Sequence, residues 1–136
     1  MSYGNLIFVS GLRGIDESSG RPVSGDRERV RVIFQRLQHV LDAYRCRSND
    51  VLSTRVYVTD MARIRPLVND AYEDFFGAEL PTRTIVEVQS LNQDDSVEIE
   101  VVIANRRHSS VRTSAVGRHF WGVVSTFVLV SGLRWC

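Results

Sequence analysis

The residues with the most evident chemistry lie in two alternating stretches, residues 81–88 (PTRTIVEV) and 96–104 (SVEIEVVIA). Both read as β-strands, because every second residue of a strand shares a face. On the first, Thr84, Val86 and Val88 form a face fit for burial, with Arg83, Ile85 and Glu87 opposite. On the second, Val97, Ile99, Val101 and Ile103 form the apolar face, leaving Glu98 and Glu100 on the other. Charge kept on rigid strands points to binding. A planar guanidinium grips a carboxylate through two parallel hydrogen bonds, which a lysine ammonium cannot do. A carboxylate serves as a general base toward water. The competing reading of Arg83 is a structural salt bridge to Glu87 or Glu100.

Composition narrows the chemistry further. All 17 basic residues are Arg and none is Lys, which excludes a lysine Schiff base or other lysine nucleophile. They are balanced by 16 acidic residues, for a net charge of +1, so nothing global argues for nucleic acid or a membrane surface. Cys46 and Cys136 lie far apart with no CxxC or metal-ligand spacing, and read as reduced thiols of a cytoplasmic protein. The amino end shows no basic region followed by a long apolar run, so no signal peptide is expected. The most apolar stretch, residues 120–131, falls short of the about 20 residues a membrane span needs. At 136 residues the chain reads as one domain with a core of its own.

The remaining elements must hold those strands in place. Residues 5–10 (NLIFVS) read as a buried strand ended by Gly11, followed by a glycine-punctuated loop over 14–25. Val30, Ile33, Phe34, Leu37, Val40, Leu41 and Tyr44 step by three and four along one helix face, with Ser24 or Asp26 as its cap. Residues 51–59 read as a second strand. Asp60 can cap a second helix, with Pro66 tolerated in its first turn and Gly77 as its stop. Ile64, Leu67, Val68, Ala71, Tyr72 and Phe75 are that helix's apolar face. The order strand, helix, strand, helix, strand, strand predicts an α+β, split βαβ sandwich: one mixed sheet with both helices on a single face. The other face then needs cover, and oligomerisation supplies it.

The carboxyl-terminal part reads differently. Residues 106–116 (RRHSSVRTSAV) form a polar linker, and five consecutive residues, Val130 to Arg134, repeat Val9 to Arg13. The apolar run before them mirrors Leu6, Ile7 and Phe8, so residues 117–136 read as a duplicated or permuted element.

Several segments in order resemble the RidA/YjgF family, the reactive intermediate enamine/imine deaminases once labelled L-PSP endoribonucleases. GNLIFVSG (4–11) is similar to the family's GNLVFVSG, DVLSTRVYVTDM (50–61) to DVVKTTVYLTDM, and VNDAYEDFF (68–76) to VNEVYAEFF. PTRTIVEV resembles PARTCVEV, and VEIEVVIA (97–104) resembles VEIEAIA. The tail from Val116 to Gly132 resembles the family's amino-terminal IGPYSQAVRVGNLVFVSG. The front of the chain lacks that first strand, so the tail is expected to supply it.

The resemblance implies a chorismate-mutase-like α+β fold assembled as a homotrimer, with clefts between subunits and no metal or cofactor. The implied reaction is hydrolytic deamination of small 2-imino or enamine acids, such as 2-iminobutanoate and 2-iminopropanoate, to 2-oxo acids and ammonia. It implies Arg83 as the carboxylate-binding arginine and Glu98 as the base for the attacking water, with Glu100 the fallback. Asn69, Ser10, Gly11, the Ile85 backbone and His119 follow as pocket residues. Ile85 stands where the family often has cysteine, His119 where it has tyrosine, and Leu12 where it has glutamine. A hairpin about residues 92–94 would set Arg83 opposite Ile103 and well over about 10 Å from Glu98, so a joint site would need a neighbouring chain. Two other functions compete: an RNA-binding or endoribonuclease activity resting on the arginine-rich linker, and a non-catalytic carboxylate-binding trimer.

Overall fold

The computed structural model describes residues 1–106. The linker beyond Arg106, the tail over 117–136, His119, Cys136 and the second Val-Ser-Gly-Leu-Arg all lie outside the described residues. The elements run β1 (Ser2–Tyr3), β2 (Leu6–Leu12), α1 (Asp26–Ala43), β3 (Val51–Val58), α2 (Met61–Phe76), β4 (Thr82–Glu87) and β5 (Val97–Ala104). They form an α+β fold with one mixed sheet in the order β1-β2-β5-β3-β4. Among the described residues only the β3–β4 pair is parallel. Both helices pack on one face, where Ile7, Leu12, Val56, Val58, Val97, Ile99, Val101 and Ile103 meet the α1 and α2 side chains. Among the described residues nothing covers the opposite face.

Four local expectations change. The chain front does carry a strand: Gly4, at φ +57°, turns the two-residue β1 back onto β2. Met1 extends this pairing, its carbonyl accepting from the Phe8 amide at 2.7 Å. Gly11 does not end β2. With φ +69° it forms a bulge with Ser10, where the register shifts between Val9↔Val101 and Leu12↔Ile99, and Leu12 is returned to the buried face. Helix α1 starts after Gly25 with no side-chain cap, since the Asp26 carboxylate instead accepts from the Ser96 hydroxyl at 2.7 Å. Pro66 falls in the second turn of α2, not the first, and leaves the Ala62 carbonyl without its helical donor. Asp60 and Gly77 bound α2 as the sequence predicts, the Asp60 side chain accepting from the Arg63 amide.

Two larger corrections concern the functional strands. β4 and β5 are not a hairpin: β3 lies between them, paired in parallel with β4 and antiparallel with β5. Helix α2 makes the crossover that parallel pairing requires. The polar connection to β5 then passes the end of β3, where the Ser96 carbonyl accepts from the Thr59 amide at 3.1 Å. Arg13 anchors this connection. Its Nε reaches Asp95 Oδ2 at 2.8 Å and its Nη2 the Asn92 carbonyl at 2.5 Å.

The faces of β4 are also the reverse of those expected. The register Thr54↔Arg83, Val56↔Ile85, Val58↔Glu87 turns Arg83, Ile85 and Glu87 toward α2, and leaves Thr82, Thr84 and Val86 on the open face. On an edge strand the helix rim can host charge. Glu87 Oε2 accepts from the Met61 amide at 2.6 Å, at the positive end of α2.

Candidate functional site

Arg83 sits on the edge strand β4, half-buried against α2. Asn69 and Tyr72, three apart, project from one side of that helix. The Arg83 Nη2 donates to Asn69 Oδ1 at 2.8 Å, and the guanidinium carbon lies 4.6 Å from the Tyr72 ring centroid. Tyr72 is itself fixed, its hydroxyl bonding Thr54 Oγ1 and the Pro81 carbonyl, each at 3.1 Å. Burial pushes the Tyr72 phenol above its usual range; the Thr54 hydrogen bond and the Arg83 charge pull against it. Among the described residues no carboxylate pairs with Arg83. The two proposed salt-bridge partners are engaged elsewhere, Glu87 at the α2 terminus and Glu100 with Arg55 and Tyr57. Ile85, next on the same side, packs against the core, and only its backbone lies along the edge.

The other predicted residues gather on β2 and β5. Ser10 and Gly11 form the bulge, with Ser10 exposed on the open face. Glu98 and Glu100 share that face of β5. Burial raises the Glu98 carboxyl above its usual 4.5; Arg13 opposes the rise, while Glu100 and Asp95 add to it. Around Ser10 and Glu100 the open face forms a concavity of about 430 Å³, bounded also by Phe8, Arg55, Thr82, Arg83 and Thr84.

The structure therefore sorts the candidates into two groups. Arg83, Asn69 and the Ile85 backbone meet at the β4 edge; Ser10, Gly11 and Glu98 lie beyond β3, with Arg83 and Ser10 both bordering the one concavity. Arg83 stands level with Val101 through Thr54, whereas Glu98 stands level with Tyr57. They are thus three residues apart along the strands and two strands apart across them, roughly 10 Å in each direction. They also point to opposite sides of the sheet.

Tyr72, Arg13 and Arg55 escape the sequence reading. Tyr72 looks like an ordinary member of an apolar helix face, and only its position three after Asn69 marks it as a platform. Arg13 ends a strand like any solvated arginine, yet is 8% exposed. Among the described residues no group of three His, Cys, Asp or Glu side chains converges as metal ligands.

Among the described residues, the fold and site define a two-helix, five-strand α+β domain whose sheet-edge arginine meets no carboxylate. The Endoribonuclease L-PSP family model matches residues 1–105, and the chain belongs to that family, the RidA/YjgF family. It is 34% identical over 100 residues to a RutC family protein of Pyrococcus horikoshii, covering 73% of this chain and 79% of that one. To the mouse 2-iminobutanoate/2-iminopropanoate deaminase it is 35% identical over 97 residues, 71% of each chain. Among solved structures, the YjgF gene product of E. coli superposes with a TM-score of 0.69 at 28% identity, covering 78% of this chain and 85% of that one. RidA from an Antarctic Psychrobacter shares the fold, with a TM-score of 0.71 at 24% identity and coverage of 76% and 84%.

Proposed function

We propose that this protein hydrolyses small 2-imino acids to 2-oxo acids and ammonia, at sites completed between copies of the chain in a homotrimer. The observation that carries this reading is the state of Arg83, fixed by a neutral amide and an aromatic ring with no carboxylate among the described residues neutralising it. Such a guanidinium keeps its charge for an incoming anion, and its planar fork suits a carboxylate. Held there, the substrate presents its imine carbon to the half-site of a neighbouring copy. In that half-site Glu98 takes a proton from water as the oxygen adds, and the Ser10–Gly11 bulge brings backbone close to the ligand. Collapse of the resulting carbinolamine, with the proton delivered to nitrogen, releases ammonia and leaves the keto acid.

Splitting the work between copies suits a chain in which Arg83 and Glu98 sit on opposite sides of one sheet. The exposed apolar side chains of the open face, Phe8 and Val86, give copies a surface to share. The tail over 117–136, with His119, belongs to the same proposal as a second copy of the strand that carries Ser10 and Gly11.

The test generates 2-iminobutanoate in situ with a threonine dehydratase and follows keto-acid release. Wild type accelerates release, and both Arg83→Ala and Glu98→Gln fall to near background. Equal rates for all three leave only a binding role for the site. RNA cleavage by the same preparation, with no effect on imine decay, would replace this reading altogether.

A further inference from the structure

Glu98 and Glu100 are two residues apart on one face of β5, yet their surroundings differ. Glu100 Oε2 accepts from Arg55 Nη1 and from the Tyr57 hydroxyl, both at 3.2 Å. Arg55 is the register partner of Glu100 on β3, and Tyr57 is the register partner of Glu98. Tyr57 thus stands beside one glutamate while its hydroxyl bonds the other. The charged and titratable groups around Glu98 are Arg13 at the end of β2, Asp95 in the β4–β5 connection, Tyr57 on β3 and Glu100 on β5 itself. Arg13 already serves Asp95 at 2.8 Å, and Glu98 makes no side-chain hydrogen bond among the described residues. Glu100 is the neighbour on the same strand face, and among the described residues one guanidinium, that of Arg55, faces it.

Building on the role of Glu98 as the water-activating carboxylate, we infer that Arg55 and Tyr57 are positioning residues. They pin Glu100 beside Glu98, and the balance of the Glu100 and Arg55 charges adjusts the pH at which Glu98 becomes a base. Same-face residues on a strand are roughly 7 Å apart, a distance at which two partly exposed carboxylates shift one another's titration by about half a unit to one unit. The Glu100 carboxylate makes Glu98 hold its proton longer; the Arg55 guanidinium limits that effect.

The test is a carbon-13 titration of the Glu98 carboxyl in the full chain. Glu100→Gln should lower the Glu98 midpoint by about half a unit or more, and Arg55→Met should raise it by a similar amount. Arg55→Lys keeps the charge and should stay nearer wild type than Arg55→Met. A midpoint indifferent to Glu100→Gln and Arg55→Met, or moved in the same direction by both, would overturn the inference; a purely structural role predicts one of those two patterns. The titration needs no turnover. An inactive wild type would therefore end the proposed reaction while the midpoints still decide whether the coupling exists.

Discussion

Arg83 is held from two sides, by the Asn69 amide and by the face of Tyr72, and that is what makes it useful. A long side chain fixed before the ligand arrives loses less rotamer freedom on binding. Arg83→Ala should lower kcat/KM by about 100-fold or more, as two charge-assisted hydrogen bonds would, and Arg83→Lys should recover only part of the loss. Steady-state kinetics on in situ imine check this; full recovery by lysine would show that the fork geometry is irrelevant. Glu98 gives a pH prediction. Its folded pKa lies above its usual 4.5, chiefly through burial, so protonation favours the folded chain. Stability contributed by the protonated form is lost as pH rises from the unfolded value through the raised folded one. Glu98→Gln should therefore unfold at the same or a higher temperature than wild type at neutral pH while losing turnover, and the wild-type rate should fall on the acid side at a pH above 4.5. A Glu98→Gln chain markedly less stable at neutral pH would contradict this.

Among the elements, α2 and β4 act as one piece. The helix supplies Asn69 and Tyr72, and the strand returns Glu87 to the helix amino end. Tyr72→Phe keeps the ring beneath Arg83 but removes the bonds to Thr54 and Pro81, whereas Tyr72→Leu removes both supports. KM should rise modestly in the first and several-fold more in the second, and equal effects would deny the ring a role. At the other end, Arg13 holds the β4–β5 connection through a buried Asp95, whose other oxygen accepts from the Ser96 amide at 2.8 Å and lies 3.6 Å from Arg29. Arg13→Met removes the donor to Asp95 Oδ2 and should destabilise the fold by about 2 kcal/mol in denaturant titration at neutral pH. A loss under about 1 kcal/mol would mean that the connection is held by other contacts.

These elements also show what a sequence can and cannot reveal. β5 is legible because Val97, Ile99, Val101 and Ile103 alternate with charge, and only one face of that strand can be buried. β4 is not. Its Thr-Arg-Thr-Ile-Val-Glu run puts one large aliphatic side chain on each face, and the parallel register with β3 decides between them. The polar connection to β5 fits a hairpin or a crossing equally well; α2 settles it by bringing β4 beside β3. Arg83 could be singled out from its neighbours, but its partners could not, because an aromatic platform and a core tyrosine look alike in a periodic helix.

At the scale of the whole molecule, one sheet face is covered by helices and the other carries Phe8, Arg55, Tyr57, Val86 and the two glutamates. The β4 edge and the β2–β5 bulge lie on either side of β3, so a head-to-tail closed ring would bring one copy's Arg83 to the next copy's Glu98. Sedimentation of the purified chain at micromolar concentration should show a trimer, and a monomer that turns over at full rate would refute the shared site. The most direct measurement mixes two inactive variants. Arg83→Ala and Glu98→Gln chains, unfolded together in equal amounts and refolded, should regain up to about a quarter of wild-type activity, because random assembly pairs an intact Arg83 with an intact Glu98 at about one interface in four. Each variant refolded alone should stay near background. Failure of the mixture to exceed the separate variants, despite demonstrated mixed assembly, would place Arg83 and Glu98 in separate roles and contradict the account.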